Sequence, residues 1–190
     1  MDNFLIIRLS SLGDIIHTLP AFSALRKNFP EAKISWVVED KGHEILDLVP
    51  GIDKIIVSHT EGWRLNRRKF WTEISRLKRE LKDKNQIALD FQGLAKSGFI
   101  AFISGSKKRI GFHRKNLREP LASLFYTEKL EEIPETIHVI SKNLKLLTRV
   151  GIQEEQYEFP LALPAEISEA VKAKLRKTGY DEQKKLVLFN

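Results

Sequence analysis

Short apolar, β-branched runs alternate along this chain with stretches whose apolar residues recur at helical spacing, and that alternation restricts the fold more than any other feature. A strand that reads as a continuous apolar run is covered on both faces, as happens when crossover helices flank a parallel sheet. Phe4-Leu5-Ile6-Ile7 is such a run. The pattern predicts strands at Asn3–Arg8, Lys33–Val38, Lys54–Ser58, Gln86–Asp90 and Arg109–Phe112. Between them it predicts helices at residues 14–28, 42–49, 66–84, 94–104 and 136–150. In the long third helix Phe70, Ile74, Leu77 and Leu81 form the buried stripe; in the last, Ile137, Ile140, Leu144 and Leu147 do so, with Gly151 as the stop. The expected class is α/β, a Rossmann-like, mostly parallel sheet flanked by helices. Pro160 and Pro164 introduce a further helix from about Glu166 to Lys177, and Lys185–Asn190 reads as a buried strand with no crossover after it. We therefore expect residues 1–164 to form one domain and residues 165–190 to begin a second that is cut short.

Composition removes several classes of chemistry. With no cysteine there is neither a disulfide framework nor a thiolate metal site. The five histidines show no paired ligand spacing, and His43-Glu44 lacks the second histidine of a zinc helix. Metal catalysis is not expected. Residues 4–7 meet Arg8 at once, so no signal-peptide pattern opens the chain, and the apolar stretch Ser97 to Gly105 is far shorter than the ~20 residues of a membrane span. The expectation is a cytoplasmic protein whose membrane contact, if any, is peripheral.

The net charge of +7 is concentrated. Residues 64–84 hold nine basic side chains against three acidic ones, residues 106–118 hold six and no acid, and the remainder is net acidic. Such clustering calls for an anionic partner: nucleic acid, an anionic membrane surface, or a phosphorylated or carboxylated substrate. The plainer reading of the first cluster is the solvated face of a helix.

Three constellations carry chemistry. Arg8-Leu9-Ser10-Ser11-Leu12-Gly13-Asp14 lies between the first strand and the first helix, where open α/β sheets gather ligands. One Gly is too few for a dinucleotide fingerprint, and no phosphate-loop lysine is present. By spacing alone Asp14 reads first as a helix cap and second as a catalyst. Asp90-Phe91-Gln92-Gly93-Leu94 closes the fourth strand, with Gly93 allowing close backbone approach and Gln92 offering polar groups to a polyol. The basic stretches come third. Arg64, Arg67, Arg68 and Lys69 run into a helix start, where the macrodipole disfavours cations and a bound anion would compensate; Arg114, Lys115 and Arg118 follow the fifth strand, suited to clamping carboxylate or phosphate oxygens. His138, at the start of its helix, reads as structural or as a ligand contact, and His17 as helix surface or core.

At these residues a resemblance becomes specific. The segment Phe4 to Pro20 resembles the first strand, loop and helix of glycosyltransferase family nine, the lipopolysaccharide heptosyltransferases. Asp90-Phe91-Gln92-Gly93-Leu94-Ala95-Lys96-Ser97 resembles the family's second signature, and Arg118 to Tyr126 is similar to the heptosyltransferase I branch. The resemblance implies the acceptor-binding N-terminal half of a two-domain GT-B enzyme, inactive without its donor-binding half. The implied reaction is inverting, metal-free transfer of heptose from ADP-heptose to a Kdo sugar of the lipopolysaccharide inner core. It implies Asp14 as general base, with Ser10, Ser11, Gly13, Gln92, Gly93, Arg118 and His138 on the acceptor side. Arg64, Arg67, Arg68 and Lys69 correspond more loosely to a basic loop that meets acidic Kdo or lipid A phosphates. Arg8 stands where relatives often have Lys, which keeps the charge and alters the geometry. The implied partners are a Kdo-lipid A acceptor, the nucleotide-sugar donor and the anionic inner-membrane surface; no cofactor is expected.

Two other readings remain at this point. A nucleic-acid-binding module would explain both basic clusters by counterion release, but no RNP-like aromatic signature or helical DNA-binding motif is evident, and nucleic acid is not the expected partner. An NAD-type dehydrogenase would share the sheet but lacks the glycines of the first turn.

Overall fold

The computed structural model describes residues 3–60, 63, 67–82, 86–153, 157–181 and 186. Among these residues six strands form one sheet: β1 (Asn3–Ile7), β2 (Ile34–Glu39), β3 (Lys54–Ser58), β4 (Gln86–Asp90), β5 (Lys108–Gly111) and β6 (Glu128–Lys129). Their order is β3-β2-β1-β4-β5-β6 and every pairing is parallel. The chain builds outward from β1 to β3, returns to pair β4 with β1, and builds outward again. Ile7 is in register with Val37 on one side and Asp90 on the other, so the loops leaving β1 and β4 emerge side by side where the direction of building reverses. That switch point is where open α/β sheets hold ligands.

Successive strand residues point to opposite faces, and both faces are covered. Phe4, Ile6, Trp36 and Leu89 pack with residues of α1 (Leu12–Ile16), α2 (Leu19–Asn28) and α5 (Val139–Leu146). Leu5, Ile7, Val37, Ile56 and Ala88 pack with Leu77 and Leu81 of α3 (Arg67–Leu81) and Ile100 and Ala101 of α4 (Ala95–Ile103). The Rossmann-like expectation holds, and the sheet is parallel throughout.

Several boundaries differ from the sequence reading for identifiable reasons. The predicted helix 14–28 is two helices, because Pro20 has no N–H to continue one and instead sits in the first turn of α2. Residues 42–49 form only 3-10 turns, Asp40–Gly42 and Leu46–Leu48. Pro50 holds Val49 extended, and Gly42 packs so closely that a Cβ there would lie 2.4 Å from Ile15 Cδ1. The helix expected at 136–150 is α5 followed by the 3-10 turn Leu147–Val150. Strand β6 has two polar residues and no apolar run to betray it. Of the strand expected at 185–190, only Leu186 falls among the described residues.

The chain divides into two compact units, Met1–Pro160 and Leu161–Asn190. In the second, α6 (Ala165–Lys177) agrees with the helix read from the sequence and ends before Gly179, whose φ is +83°.

Gly111 of β5 faces the Tyr126 ring so closely that a Cβ would lie 2.1 Å from Cε2. Gly111→Ala is expected to destabilise the fold by about 1–3 kcal/mol through overpacking. A urea midpoint equal to that of the wild type would contradict this packing.

Candidate functional site

The two switch-point loops are riveted together by side chains from each. Gln92 Oε1, from the β4 loop, accepts the backbone N–H groups of Leu9 and Ser10 from the β1 loop, at 2.9 and 3.1 Å. In return Arg8 is drawn beneath the β4 loop and donates through Nη1 to the Phe91 carbonyl. Its other arm, Nη2, meets Asp14 Oδ1 at 2.8 Å. Arg8 is only 6% exposed, and its Nε has no partner. Burial pushes the guanidinium below its ordinary range, while Asp14 and Asp90 pull it back; it stays charged.

The β4 loop has a buried anchor of its own. Asp90 Oδ1 accepts the N–H groups of Gln92 and Gly93, and Oδ2 accepts the Ser97 and Tyr126 hydroxyls at 2.8 and 2.7 Å. Gly93 turns the chain at φ +70°, where a Cβ would also crowd Leu117. Burial raises the Asp90 carboxyl above the usual carboxylate range, opposed by these four hydrogen bonds. The Tyr126 hydroxyl is pushed up by burial and by Asp90.

Asp14 combines the two roles between which spacing could not choose. Ser11 is the N-cap of α1, and Asp14 Oδ2 accepts its N–H at 3.1 Å, the returning half of a capping box. Its carboxylate nevertheless remains 40% exposed, and two oxygens offer about four acceptor positions, so capacity for an incoming hydroxyl is left. Gly13 beside it has nothing within 4 Å of where a Cβ would stand, so that side is open.

The remaining candidates surround this centre. His138 is exposed as the N-cap of α5, its Nδ1 accepting from Ile140 N at 3.3 Å, and its ring lies edge-on to His17 at 6.1 Å. Two cavities open on the carboxyl edge of the sheet. One, about 610 Å³, is lined by Lys41, Ser58, His59, Trp63, Arg68, Lys69 and neighbouring acids. The other, about 640 Å³, is lined by Thr60, Trp63, Leu94, Ala95, Lys96, Arg118 and Glu119. Trp63 borders both. The structure thus brings Arg8, Ser10, Ser11, Gly13, Asp14, Gln92 and Gly93 together, and places Arg118, Arg68 and Lys69 along the cavities. Arg67 opens α3, and Arg64 lies outside the described residues. Among those residues, no group of three or more His, Cys, Asp or Glu is placed to hold a metal ion.

Sequence reasoning missed four participants. Asp90 and Tyr126 carry the anchor, a pairing separated by 36 residues. Lys96 Nζ pairs with the buried Glu39 at 2.5 Å, joining α4 to the end of β2. Lys142 donates to the Asn116 carbonyl at 2.8 Å and sits 4.8 Å over the Phe112 ring; burial and the charge of Arg8 push its ammonium down. Asp90 and Lys96 carried a signal as members of the second signature and Tyr126 as the end of the third matching run, none of which revealed these pairings; Lys142 carried none.

The fold is an open parallel α/β module whose polar side chains gather at the switch point of its sheet, and comparison with known proteins places it further. Residues 74–190 match the family model of glycosyltransferase family 9 (heptosyltransferase). Lipopolysaccharide heptosyltransferase 1 of Escherichia coli (strain RS218) is 32% identical over 167 residues, 84% of this chain and 50% of that protein. The Pseudomonas aeruginosa protein of that name is 37% identical over 128 residues, 64% of this chain and 35% of its own length. The solved E. coli heptosyltransferase WaaC with ADP-2-deoxy-2-fluoro heptose aligns with TM-score 0.73 at 27% identity, covering 83% of this chain and 51% of that one. The chain belongs to glycosyltransferase family 9, the heptosyltransferases. It spans half or less of the length of these curated relatives.

Tyr126→Phe removes one donor from the Asp90 carboxylate, for a cost of about 1 kcal/mol. The sign with pH follows from the raised Asp90 value: the native state holds the proton that the unfolded state has lost, so Asp90 costs stability as pH rises from about 4 through its folded value. Losing the Tyr126 bond raises Asp90 further, so the penalty of Tyr126→Phe grows with pH. Urea titrations of both proteins across about pH 4–8 check this; a penalty that is flat, or largest at low pH, contradicts it.

Proposed function

We propose that this chain is the acceptor-binding half of an inverting heptosyltransferase of GT-B architecture, in which Asp14 accepts the proton of the attacking sugar hydroxyl. One observation carries the reading: a half-exposed carboxylate stands at the switch point of a parallel sheet, gripped from beneath by a buried arginine. A sugar hydroxyl is a poor nucleophile, and a carboxylate within hydrogen-bond reach raises its reactivity by taking its proton as the new bond forms. In the single-step displacement the acceptor oxygen bonds to the anomeric carbon of ADP-heptose, the bond from that carbon to the diphosphate oxygen breaks, and ADP leaves with the electron pair. The centre inverts. The base is a side chain, so the step as written calls for no metal.

The hydrogen bonds of the site support distinct roles for its residues in this reading. Arg8 aims Asp14 through the ion pair beneath it. Gln92 holds the β1 loop through its carbonyl oxygen, which leaves its amide NH2, beside the Ser10 hydroxyl, to meet a polyol, while the Ser11 hydroxyl faces Asp14 Oδ2 at 3.5 Å. Arg118 and Lys96, on the wall of one cavity, suit an acceptor carboxylate such as that of Kdo, and Arg68 and Lys69, on the other, suit lipid A phosphates. His138 borders the acceptor side. In this reading residues 1–164 form the acceptor domain and residues 165–190 lead into a donor-binding domain, which supplies the groups that stabilise the leaving diphosphate. The relative solved with an ADP-heptose analogue supports that donor class. Among the described residues no helix is long and apolar enough to cross a membrane, and we assign the protein to the anionic surface that carries its acceptor.

Asp14→Asn in the full-length enzyme is expected to lower kcat by about 10²–10⁴-fold with ADP-heptose and a Kdo-bearing acceptor, while the thermal midpoint shifts little. Unchanged turnover would contradict the role of Asp14, and turnover that prefers another sugar nucleotide would contradict the donor.

A further inference from the structure

A connected run of aromatic rings crosses the flank formed by α3 and α4. Trp71 touches Phe70 with ring centroids 5.2 Å apart, Phe70 stacks on Phe99 at 6.5 Å, Phe99 meets Phe125 at 5.9 Å, and Phe125 meets Phe102 at 6.1 Å. The 3-10 turn Pro120–Phe125 lies tightly on α4, because Gly98 leaves room for it: a Cβ at Gly98 would be 3.0 Å from both the Ala122 carbonyl oxygen and the Phe125 ring. Three residues apart on that turn, Leu121 and Leu124 project together. The outer members stand in water, Trp71 at 62% exposure, Phe102 at 53%, Leu121 at 65% and Leu124 at 76%. Clustered apolar side chains at such exposure mark an interaction surface.

The charge around the rings says what covers them. Of the seven Lys and Arg from residue 95 to 127, Lys96 and Arg118 line a carboxyl-edge cavity, while Lys107 and Arg109 stand by the rings, and the one acid of that stretch is Glu119. The Arg109 guanidinium sits 5.7 Å over the Phe102 ring, and Lys107 beside it is exposed. Arg68 and Lys69, next to Phe70 and Trp71, are exposed as well. Trp, Phe and Leu edged by Lys and Arg is the composition of elements that lie in a bilayer interface, whereas protein interfaces are depleted of Lys. Phe102 lies in the last turn of α4, toward the amino edge of the sheet and away from the carboxyl edge that carries Asp14.

We propose that this flank docks on an anionic bilayer, with Trp71, Phe102, Leu121 and Leu124 entering the headgroup boundary and Lys107 and Arg109 meeting lipid phosphates. The inference deepens, and rests on, the reading of a membrane-borne acceptor. It is tested with the full chain by co-sedimentation with phosphatidylcholine vesicles, with and without roughly one third phosphatidylglycerol; neither contains a sugar acceptor, so the result is independent of heptose transfer. The chain should sediment with the anionic vesicles and be released by salt. The exposed-site pair Phe102→Ser with Leu124→Ser should lower the partition coefficient about tenfold or more at an unchanged thermal midpoint. Lys107→Glu should weaken binding without affecting transfer to a soluble acceptor. Absence of binding to anionic vesicles at low salt, or equal binding by a folded double variant, would overturn the proposal. So would a dimer, seen by sedimentation velocity, that the double variant dissociates while vesicle binding persists. Binding retained in a full-length enzyme that transfers no heptose would instead sink the transferase reading and leave the surface standing.

Discussion

A single buried cation organises the site. Arg8 leaves the end of β1, passes under the β4 loop to the Phe91 carbonyl, and reaches Asp14 on α1, so one side chain ties its own strand and the following helix to a loop 83 residues away. A guanidinium at 6% exposure is costly to bury unless its donors are met, and removing one partner of such a pair is far more disruptive than its presence is stabilising. The site is arranged around that constraint. Gln92 pins the backbone that carries Arg8, and the Asp90 anchor, with its Ser97 and Tyr126 donors, fixes the turn that presents both Gln92 and Phe91. Lysine, with one compact ammonium, would not span the same two acceptors as a fork does.

The parallel sheet was readable because its strands are buried on both faces and hence continuously apolar; the five strands expected from sequence all form within about a residue or two of their predicted limits. Helix limits were less legible. The break at Thr18 depends on whether Pro20 ends a helix or starts one, and the turns at 40–48 depend on the approach of Gly42 to Ile15, a contact between segments 27 residues apart. Strand β6 exists because β5 offers it an edge, which no property of Glu128-Lys129 announces.

Site legibility followed the same rule. Loop residues adjacent in sequence, Ser10, Ser11, Gly13 and Asp14, were found together because one turn carries them. Gln92 stood out for a different reason from the one the fold gives it. A polar side chain at the end of a strand suggests a ligand contact, and only the fold reveals that its carbonyl oxygen faces two backbone N–H groups of another loop. The roles of Tyr126 and Lys142 depend on long-range approach, to Asp90 and Arg8 respectively, and the sequence carries no local trace of either. The concentrated positive charge, by contrast, was visible at once. Its division between the cavity walls at the carboxyl edge and the aromatic flank is a property of the folded surface.

The central claim is that Arg8 acts through Asp14. The most direct measurement is a double-mutant cycle on kcat in the full-length enzyme, with Arg8→Gln, Asp14→Asn and the pair. The account predicts strong non-additivity: Arg8→Gln slows transfer when Asp14 is intact and adds little once Asp14 is Asn. Multiplicative losses, with Arg8→Gln equally damaging in both backgrounds, would contradict it.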